Sequence, residues 1–419
     1  MTPDNIPPLR SASTIRSGQQ HPESIESVPI EKSLQAADIL KEFNTDLWLT
    51  FVRETSAVND PVLPLIYGET GLTWHSALIF TKSGERIAIV GRLEAAEAAK
   101  TGVYPTVIPY DESIRPVLCE VMARLDPKNI AINTSVNDVL ADGLSHGMYQ
   151  TLVDILSGTP YGDRLQSAEQ IISALRGRKT PGEITRIKAA IRETQEIYAH
   201  TLEFVHDGMS EKQVANFMHN ELKVRDLQPA WSADGCPIVN AGPESPIGHS
   251  TPGELQVRRG QLLHLDFGVQ KDGYCSDIQR LFYFLAPGES QPPAEVQRAF
   301  DTVVEAIRTV VAALKPGMTG KEVDDLARST ITRAGYPEYK YATGHQLGRL
   351  AHDGGALLGP AWERYGNTPH RLLEAGQVYT VEPGIFLDKY GYVGIEEDVL
   401  VTENGAEFLS EPQASLWTE

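Results

Sequence analysis

Five side chains in the C-terminal part of the sequence are of the types that hold metal ions. Asp266 interrupts the apolar run His264-Leu265-Asp266-Phe267-Gly268-Val269. Asp277, eleven residues on, opens a second run in Tyr274-Cys275-Ser276-Asp277-Ile278. His345 stands in Thr343-Gly344-His345-Gln346-Leu347-Gly348, Glu382 ends a run in Thr380-Val381-Glu382-Pro383-Gly384, and Glu396 begins one in Gly394-Ile395-Glu396-Glu397-Asp398-Val399. An acid on a buried strand is costly unless it is neutralised. Asp266 taken alone is satisfied by a salt bridge, and Asp272, Glu397 and Asp398 read as solvated turn or strand-end residues. Four carboxylates converging on one imidazole are a different matter. They repel one another, and their pKa values rise unless countercharge is present. Two divalent cations supply +4 against −4. Oxygen-rich ligands with one nitrogen suit Mn²⁺ and tolerate Co²⁺, Zn²⁺ or Fe²⁺, and they exclude a thiolate-preferring site. Bridging carboxylates hold such a pair of ions about 3.5–4 Å apart, an arrangement that activates water for hydrolysis.

The 419 residues suggest two or three domains at about 150 residues each. Hydrophobic residues make up 41% and charged residues 22%, an ordinary globular balance. The net charge of −19 disfavours nucleic acid and anionic membranes as partners and favours cations. No apolar run approaches the roughly 20 residues of a membrane span, and the polar start lacks the apolar stretch of a signal peptide. Cys119, Cys236 and Cys275 make no disulfide framework. The expectation is a reduced, cytoplasmic protein.

Residues 1–30, rich in Ser, Pro and Gln, read as a flexible tail. A helix-like segment around Leu34–Leu40 precedes a strand at 47–52, and Lys82-Ser83-Gly84-Glu85 sits between two apolar runs as a hairpin turn. A helix at about 92–101, a strand at Val107-Ile108, a helix at 112–125 and a strand at 130–132 complete an N-terminal α/β domain, taken as 31–168. Thr180-Pro181-Gly182-Glu183 is a capping box with Pro at the first helical position. The helix it starts places Ile184, Ile187, Ile191, Thr194, Tyr198 and Thr201 on one face, which packs on a sheet. Residues 169–419 intersperse strands near 262–269, 280–284, 378–381 and 398–401 with helices near 293–314 and 320–335. That pattern predicts an α+β domain with a mixed or antiparallel sheet.

Three local signals carry no chemistry. Gly143-Leu144-Ser145-His146-Gly147 has the letters of a hydrolase elbow, but no strand ends at the serine, so it reads as a helix start. Gly317–Lys321 lacks the Ser/Thr and the preceding strand of a phosphate loop. Cys275 has no activating His beside it in sequence and reads as a packed residue.

The whole of 31–419, and 170–419 most clearly, resembles the pita-bread metallopeptidases: aminopeptidase P, prolidase and their relatives. The resemblance rests on Leu175-Arg176-x-x-Lys179-x-x-x-Glu183-Ile184 at the entry to the catalytic half, on Val381-Glu382-Pro383-Gly384, and on Ile395-Glu396 ahead of Val399-Leu400-Val401-Thr402. It implies a pita-bread (creatinase/aminopeptidase-like) catalytic domain behind a smaller creatinase-like α/β domain. It also implies that Asp266, Asp277, His345, Glu382 and Glu396 ligate two divalent metal ions. His249, 17 residues before Asp266, resembles the family's substrate-orienting His, and His352, seven after His345, the His that meets the substrate carbonyl or the tetrahedral intermediate. Glu382 then serves as proton shuttle and His352 as oxyanion donor. The implied substrate is a short proline-containing peptide cut before proline by an Xaa-Pro dipeptidase or Xaa-Pro aminopeptidase, and the implied assembly is a homodimer. His200, His206, His219, His264 and His370 keep an ordinary structural reading.

Three positions depart from the family pattern. Gly394 stands where an Arg is common, Gln346 where a Gly is, and Gln279 where a Thr is. A missing guanidinium leaves a void beside Glu396, to be filled by a cation such as Arg280 or Arg349 or left for a different ligand; otherwise Gly394 simply permits a turn. The alternatives to a peptidase are another small-molecule enzyme on the same fold and a non-catalytic scaffold. Retention of all five ligand positions argues against the scaffold.

Overall fold

The computed structural model describes residues 27–248 and 250–419. Helix Val28–Glu42 starts at once, with Pro29 in its first turn, so residues 28–30 of the expected tail are helical and 1–26 lie outside the described residues. One mixed sheet follows, in the order Thr106–Tyr110, Arg86–Gly91, Ser76–Thr81, Leu47–Val52, Ile130–Ile132, Leu165–Ser167. The expected hairpin supplies two neighbouring strands of it, Ser76–Thr81 and Arg86–Gly91. Alternation of side chains gives the sheet two apolar faces. Leu47, Leu49 and Phe51 meet helices Ile114–Leu125 and His146–Leu156, the latter capped by Ser145 of the supposed elbow. Trp48 and Val52 face helix Val28–Glu42 instead. This second core continues into the C-terminal half through Leu175, Ile187, Tyr198 and Phe267.

The capping box at Thr180 forms both of its hydrogen bonds and starts helix Pro181–Phe204. Ile187, Ile191, Thr194, Tyr198 and Thr201 are buried, as the periodicity predicts. The Tyr198 hydroxyl donates to the carbonyl of Ile278 at 2.7 Å, which fixes the helix on a four-stranded sheet. That sheet runs Trp417–Thr418, Ile278–Tyr283, Leu262–Phe267, Ile238–Ala241. A second sheet runs Val378–Val381, Glu397–Val401, Ala406–Phe408, beside the hairpin Gly384–Leu387/Gly391–Gly394. Helices Pro181–Phe204 and Glu211–Val224 pack on one side of these strands. Helices Ala294–Ala313 and Gly320–Arg333 pack on the other, against Leu281, Tyr283, Val381 and Val399. Sheets covered on both faces by helices give the α+β architecture read from the sequence. Among the described residues no helix is long and apolar enough to cross a membrane.

The two sheets meet at the bridge between Gln279 and Glu396, and an ion pair locks that seam. Arg280 donates to both carboxylate oxygens of Glu397, at 3.0 and 3.1 Å, and both side chains are buried. Ser410 and the backbone N–H of Gln413 donate to the same carboxylate. Glu397 is therefore not the solvated strand-end residue expected from the sequence. A buried pair that loses one partner leaves an uncompensated charge, at a cost of about 3–5 kcal/mol. Arg280→Met is expected to lower the urea midpoint by the equivalent of that amount. A loss below about 1 kcal/mol would mean that the pair does not hold the seam.

Candidate metal centre and its surroundings

The strand ends that bracket this seam deliver four acids to one place. Asp266 lies on Leu262–Phe267, opposite Gln279 on one neighbouring strand and Ile238 on the other. Asp277 immediately precedes Ile278–Tyr283. Glu382 follows Val378–Val381 directly, and Glu396 precedes Glu397–Val401, the antiparallel partner of that strand. His345 enters alongside Val378–Val381: its backbone carbonyl accepts from the Thr380 N–H at 2.9 Å, and Leu347 N–H donates to the Val378 carbonyl at 3.0 Å. Gly344 permits this approach, because a Cβ there would lie 1.9 Å from the Thr380 carbonyl oxygen. Behind it, Thr343 donates to Asp324 at 2.7 Å, and Arg328 grips both oxygens of Asp324 while donating to the carbonyls of Tyr339 and Tyr341.

All five expected ligand positions converge. His345 Nε2 is 3.5 Å from a Glu382 oxygen, 3.8 Å from Asp277 and 3.9 Å from Glu396. One ligand atom each from Asp277, His345 and Glu396 fits within 4.8 Å of the others. The carboxyls of Asp266 and Asp277 are within hydrogen-bonding reach of each other. Burial lifts all four acids above the usual carboxylate range, Asp266 to about 7, and the neighbouring carboxylates add to the rise at Asp277, Glu382 and Glu396. Asp266 Oδ1 and Glu396 Oε1 are buried with no hydrogen-bond partner among the described residues. Buried acceptors in that state call for a donor or a cation. Four acids, one imidazole and two unmet oxygens fit divalent cations held by these residues.

Two groups that the sequence left with ordinary roles belong to this environment. Asp398 is fully buried and accepts from the Asp277 N–H at 3.3 Å, while its other oxygen has no partner among the described residues. The expectation of a solvated Asp398 fails because Glu397–Val401 is covered on both faces, so alternation leaves both Glu397 and Asp398 buried. His264 is the other. Its ring bridges Asn240 Oδ1 at 3.0 Å and Gln279 Oε1 at 2.9 Å, and Gln279 Nε2 donates to Glu382 Oε2 at 3.3 Å. Burial holds the His264 pKa down to about 4, against the pull of the Gln279 oxygen.

The void expected beside Glu396 is filled. A Cβ on Gly394 would lie 2.4 Å from the Tyr392 ring and 2.7 Å from both the Gln279 amide and His264 Nε2. The turn that Gly394 was expected to permit is made instead by Gly391, at φ +115°. Neither proposed cation stands in: Arg280 is held by Glu397, and Arg349 pairs with Glu69 at 2.6 Å across the Tyr274 ring. The wall is polar and uncharged, built of Gln279, His264 and the Tyr341–Tyr392 hydroxyl pair. Gln346 is accommodated similarly: its amide occupies the space that a Cβ on Gly355 would need, and it donates to the Tyr379 hydroxyl at 3.1 Å. His352 sits edge-on to His345, ring centroids 4.2 Å apart, on the exposed side. His249 lies outside the described residues.

The raised acids set the sign of a pH effect. Asp266 has a folded pKa near 7 and an ordinary value of 3.8, so in the absence of cations it adds stability as pH falls from 7 towards 4. Ligands that hold cations must instead be deprotonated, so the loaded form gains as pH rises. The increment in melting temperature from saturating Mn²⁺ is therefore expected to be larger at pH 7.5 than at pH 5.5. An increment that is zero, or larger at pH 5.5, would show that the cluster does not take the cation.

The sequence pattern of metallopeptidase family M24 matches residues 185–403, which spans the whole cluster. An uncharacterized peptidase of Staphylococcus saprophyticus is 32% identical over 335 residues, covering 80% of this chain and 87% of that one. One from Bacillus subtilis is 31% identical over 338 residues, covering 80% and 88%. Among solved structures, an Xaa-Pro dipeptidase from Bacillus anthracis superposes with a TM-score of 0.72 at 25% identity, covering 93% of this chain and all of that one. An X-Pro aminopeptidase from Thermotoga maritima superposes at 0.68 and 25%, covering 92% and 99%. With its acids on the ends of helix-covered strands, in the pita-bread arrangement those structures share, the chain belongs to metallopeptidase family M24.

Proposed function

We propose that this chain is a metal-dependent exopeptidase that cleaves the bond before proline in short peptides, using two divalent cations, Mn²⁺ foremost, held by Asp266, Asp277, His345, Glu382 and Glu396. The observation that carries the reading is the cluster of three acids around His345, with Asp266 against Asp277 and two oxygens unmet. The Xaa-Pro activities named for two structures of the same fold support its specificity. Divalent cations, when bound, supply Lewis acidity and lower the pKa of water.

The chain's own residues do the rest. Glu382 is the more open of the acids around His345, with its side chain 19% exposed against 7% for Asp277 and 1% for Glu396. It takes the proton from the attacking water and passes it to the leaving nitrogen. Gln279 Nε2 holds its Oε2 at 3.3 Å, and its Oε1 faces His345 Nε2 at 3.5 Å. His352, on the open side of His345, donates an N–H to the developing oxyanion. His249 orients the substrate. An Xaa-Pro bond has no N–H and a fixed φ, so a site built around a ring and a carbonyl, rather than backbone pairing, suits it. The uncharged wall at Gly394 bears on length. A dipeptide brings its carboxylate next to the scissile bond, and Gln279, His264 and Tyr392 offer it no guanidinium. Xaa-Pro-Xaa peptides carry that charge further away and fit the wall better.

Two measurements test this reading. Hydrolysis of Xaa-Pro dipeptides, Xaa-Pro-Xaa tripeptides and proline-free controls, with chelator and with Mn²⁺ or Co²⁺, is expected to show metal-dependent cleavage before proline, with dipeptides turned over slowly. A kcat/KM of about 10⁴ M⁻¹s⁻¹ or more on any simple dipeptide would sink the length preference. Equal cleavage of proline-free peptides, or full activity without metal, would sink the function. The second measurement separates the two proposed roles. Glu382→Gln removes a ligand charge and the proton carrier, so kcat should collapse, whereas His352→Ala should keep its metal and lose about 10²-fold in rate. Loss of metal from His352→Ala, or a normal rate, would show that its role is misassigned.

A further inference from the structure

We propose that Arg176 and Lys179, in the linker that enters the catalytic half, are positioning residues for His352 and act through Asp353. This rests on the reading of His352 as the oxyanion donor. The two neighbours point in opposite directions: His352 is exposed beside His345, whereas Asp353 is buried at 3% exposure. One Asp353 oxygen accepts from Arg176 Nη2 and the other from Lys179 Nζ at 2.9 Å. The Asp353 backbone N–H donates to the Gln346 carbonyl at 2.8 Å, so the turn that leaves His345 is closed at both ends. Gly348 lies inside that turn, and a Cβ there would sit 2.1 Å from Asp353 Oδ2 and 2.7 Å from Lys179 Nζ. The backbone thus wraps closely around the buried pair, and a shift of Asp353 must move the residue next to it.

Arg176 and the linker backbone are themselves held by the N-terminal domain. Arg176 Nη1 donates to the Pro61 carbonyl at 2.7 Å. Lys32, on helix Val28–Glu42, is fully buried and donates to the carbonyls of Leu175 at 2.5 Å and Arg178 at 2.8 Å. It also pairs with Glu183 at 2.6 Å, whose other oxygen accepts from the Tyr274 hydroxyl. The linker backbone is therefore pinned on either side of Arg176, and both linker cations converge on one carboxylate. Buried ion pairs of this kind are weak stabilisers but strict in geometry, because each charge has few places to go. That is the property a positioning device needs.

Lys179→Met removes one cation and leaves the Arg176–Asp353 pair to hold Asp353, so the fold has a remaining partner. The expected result, per folded and metal-loaded chain, is a kcat about tenfold lower with KM within twofold and metal content unchanged, and recovery of most of the rate in Lys179→Arg. Independently of any substrate, the imidazole ¹⁵N signals of His352, assigned by their absence in His352→Ala, should shift in Lys179→Met while those of the remote His200 stay in place. If Lys179→Met does not fold, Gly348→Ala tests the same contact by pushing on Asp353, and the same His352 shift is expected. Unmoved His352 signals in the folded variant would overturn the proposal and leave the ion pairs as purely structural ties. Moved signals with an unchanged kcat would likewise overturn it. If the chain cleaves no Xaa-Pro peptide at all, the function fails but the imidazole signals still decide whether the linker positions His352.

Discussion

Three carboxylates held 3.5–3.9 Å from one imidazole, with a fourth against one of them, cannot all stay charged in a buried site without a countercharge. The surrounding architecture follows from this repulsion. Each acid sits where a strand begins or ends, so rigid hydrogen-bonded backbone rather than a free loop bears the load. Burial and mutual repulsion lift the pKa values together, and two oxygens remain without donors. Divalent cations relieve both conditions at once, which is why the same cluster fits a metal centre and does not fit a set of ordinary buried salt bridges.

The residues around the cluster divide charge from neutrality. Arg280 is spent on Glu397 at the seam between the two sheets and contributes no cation to the wall. The space beside Gly394 is closed by an amide, an imidazole and a tyrosine, so two of the departures from the family pattern are one structural exchange: the side chain missing at 394 is compensated by the longer one at 279. Gln346 follows the same logic, fitting because Gly355 has no side chain. These exchanges leave the cluster of acids and imidazole in place and make the surface beside it polar and uncharged.

The N-terminal domain is joined to the catalytic half through more than a covalent linker. One apolar core runs from Trp48 through Leu175 to Phe267, and Lys32 holds the backbone carbonyls of the linker whose Arg176 and Lys179 pair with Asp353. Apolar contact supplies most of the association free energy, because it scales with area removed from water. The ion pairs add direction, because each needs its partner at hydrogen-bond distance. The turn carrying His352 is thereby referenced to the position of another domain.

Much of this protein was legible in the sequence because it depends on local pattern. The capping box at Thr180, the 3.6-residue stripe from Ile187 to Thr201 and the hairpin around Lys82–Glu85 follow from residue type and spacing, and the five acid and His positions stand out as costly side chains at strand ends whose joint role the family resemblance implies. What the sequence misplaced depends on what lies across a sheet. Glu397 and Asp398 look like strand-end residues until helices and strands cover both faces and force them inside. Gly394 looks like a gap until Gln279 and His264 arrive from strands more than a hundred residues away in sequence and fill it. Sequence spacing determines which residue types can do chemistry and which local elements carry them. Only tertiary packing decides which of their neighbours are dry, which charges are already paired, and what surface is left to meet a substrate, because burial and pairing are properties of residues brought together from distant parts of the chain.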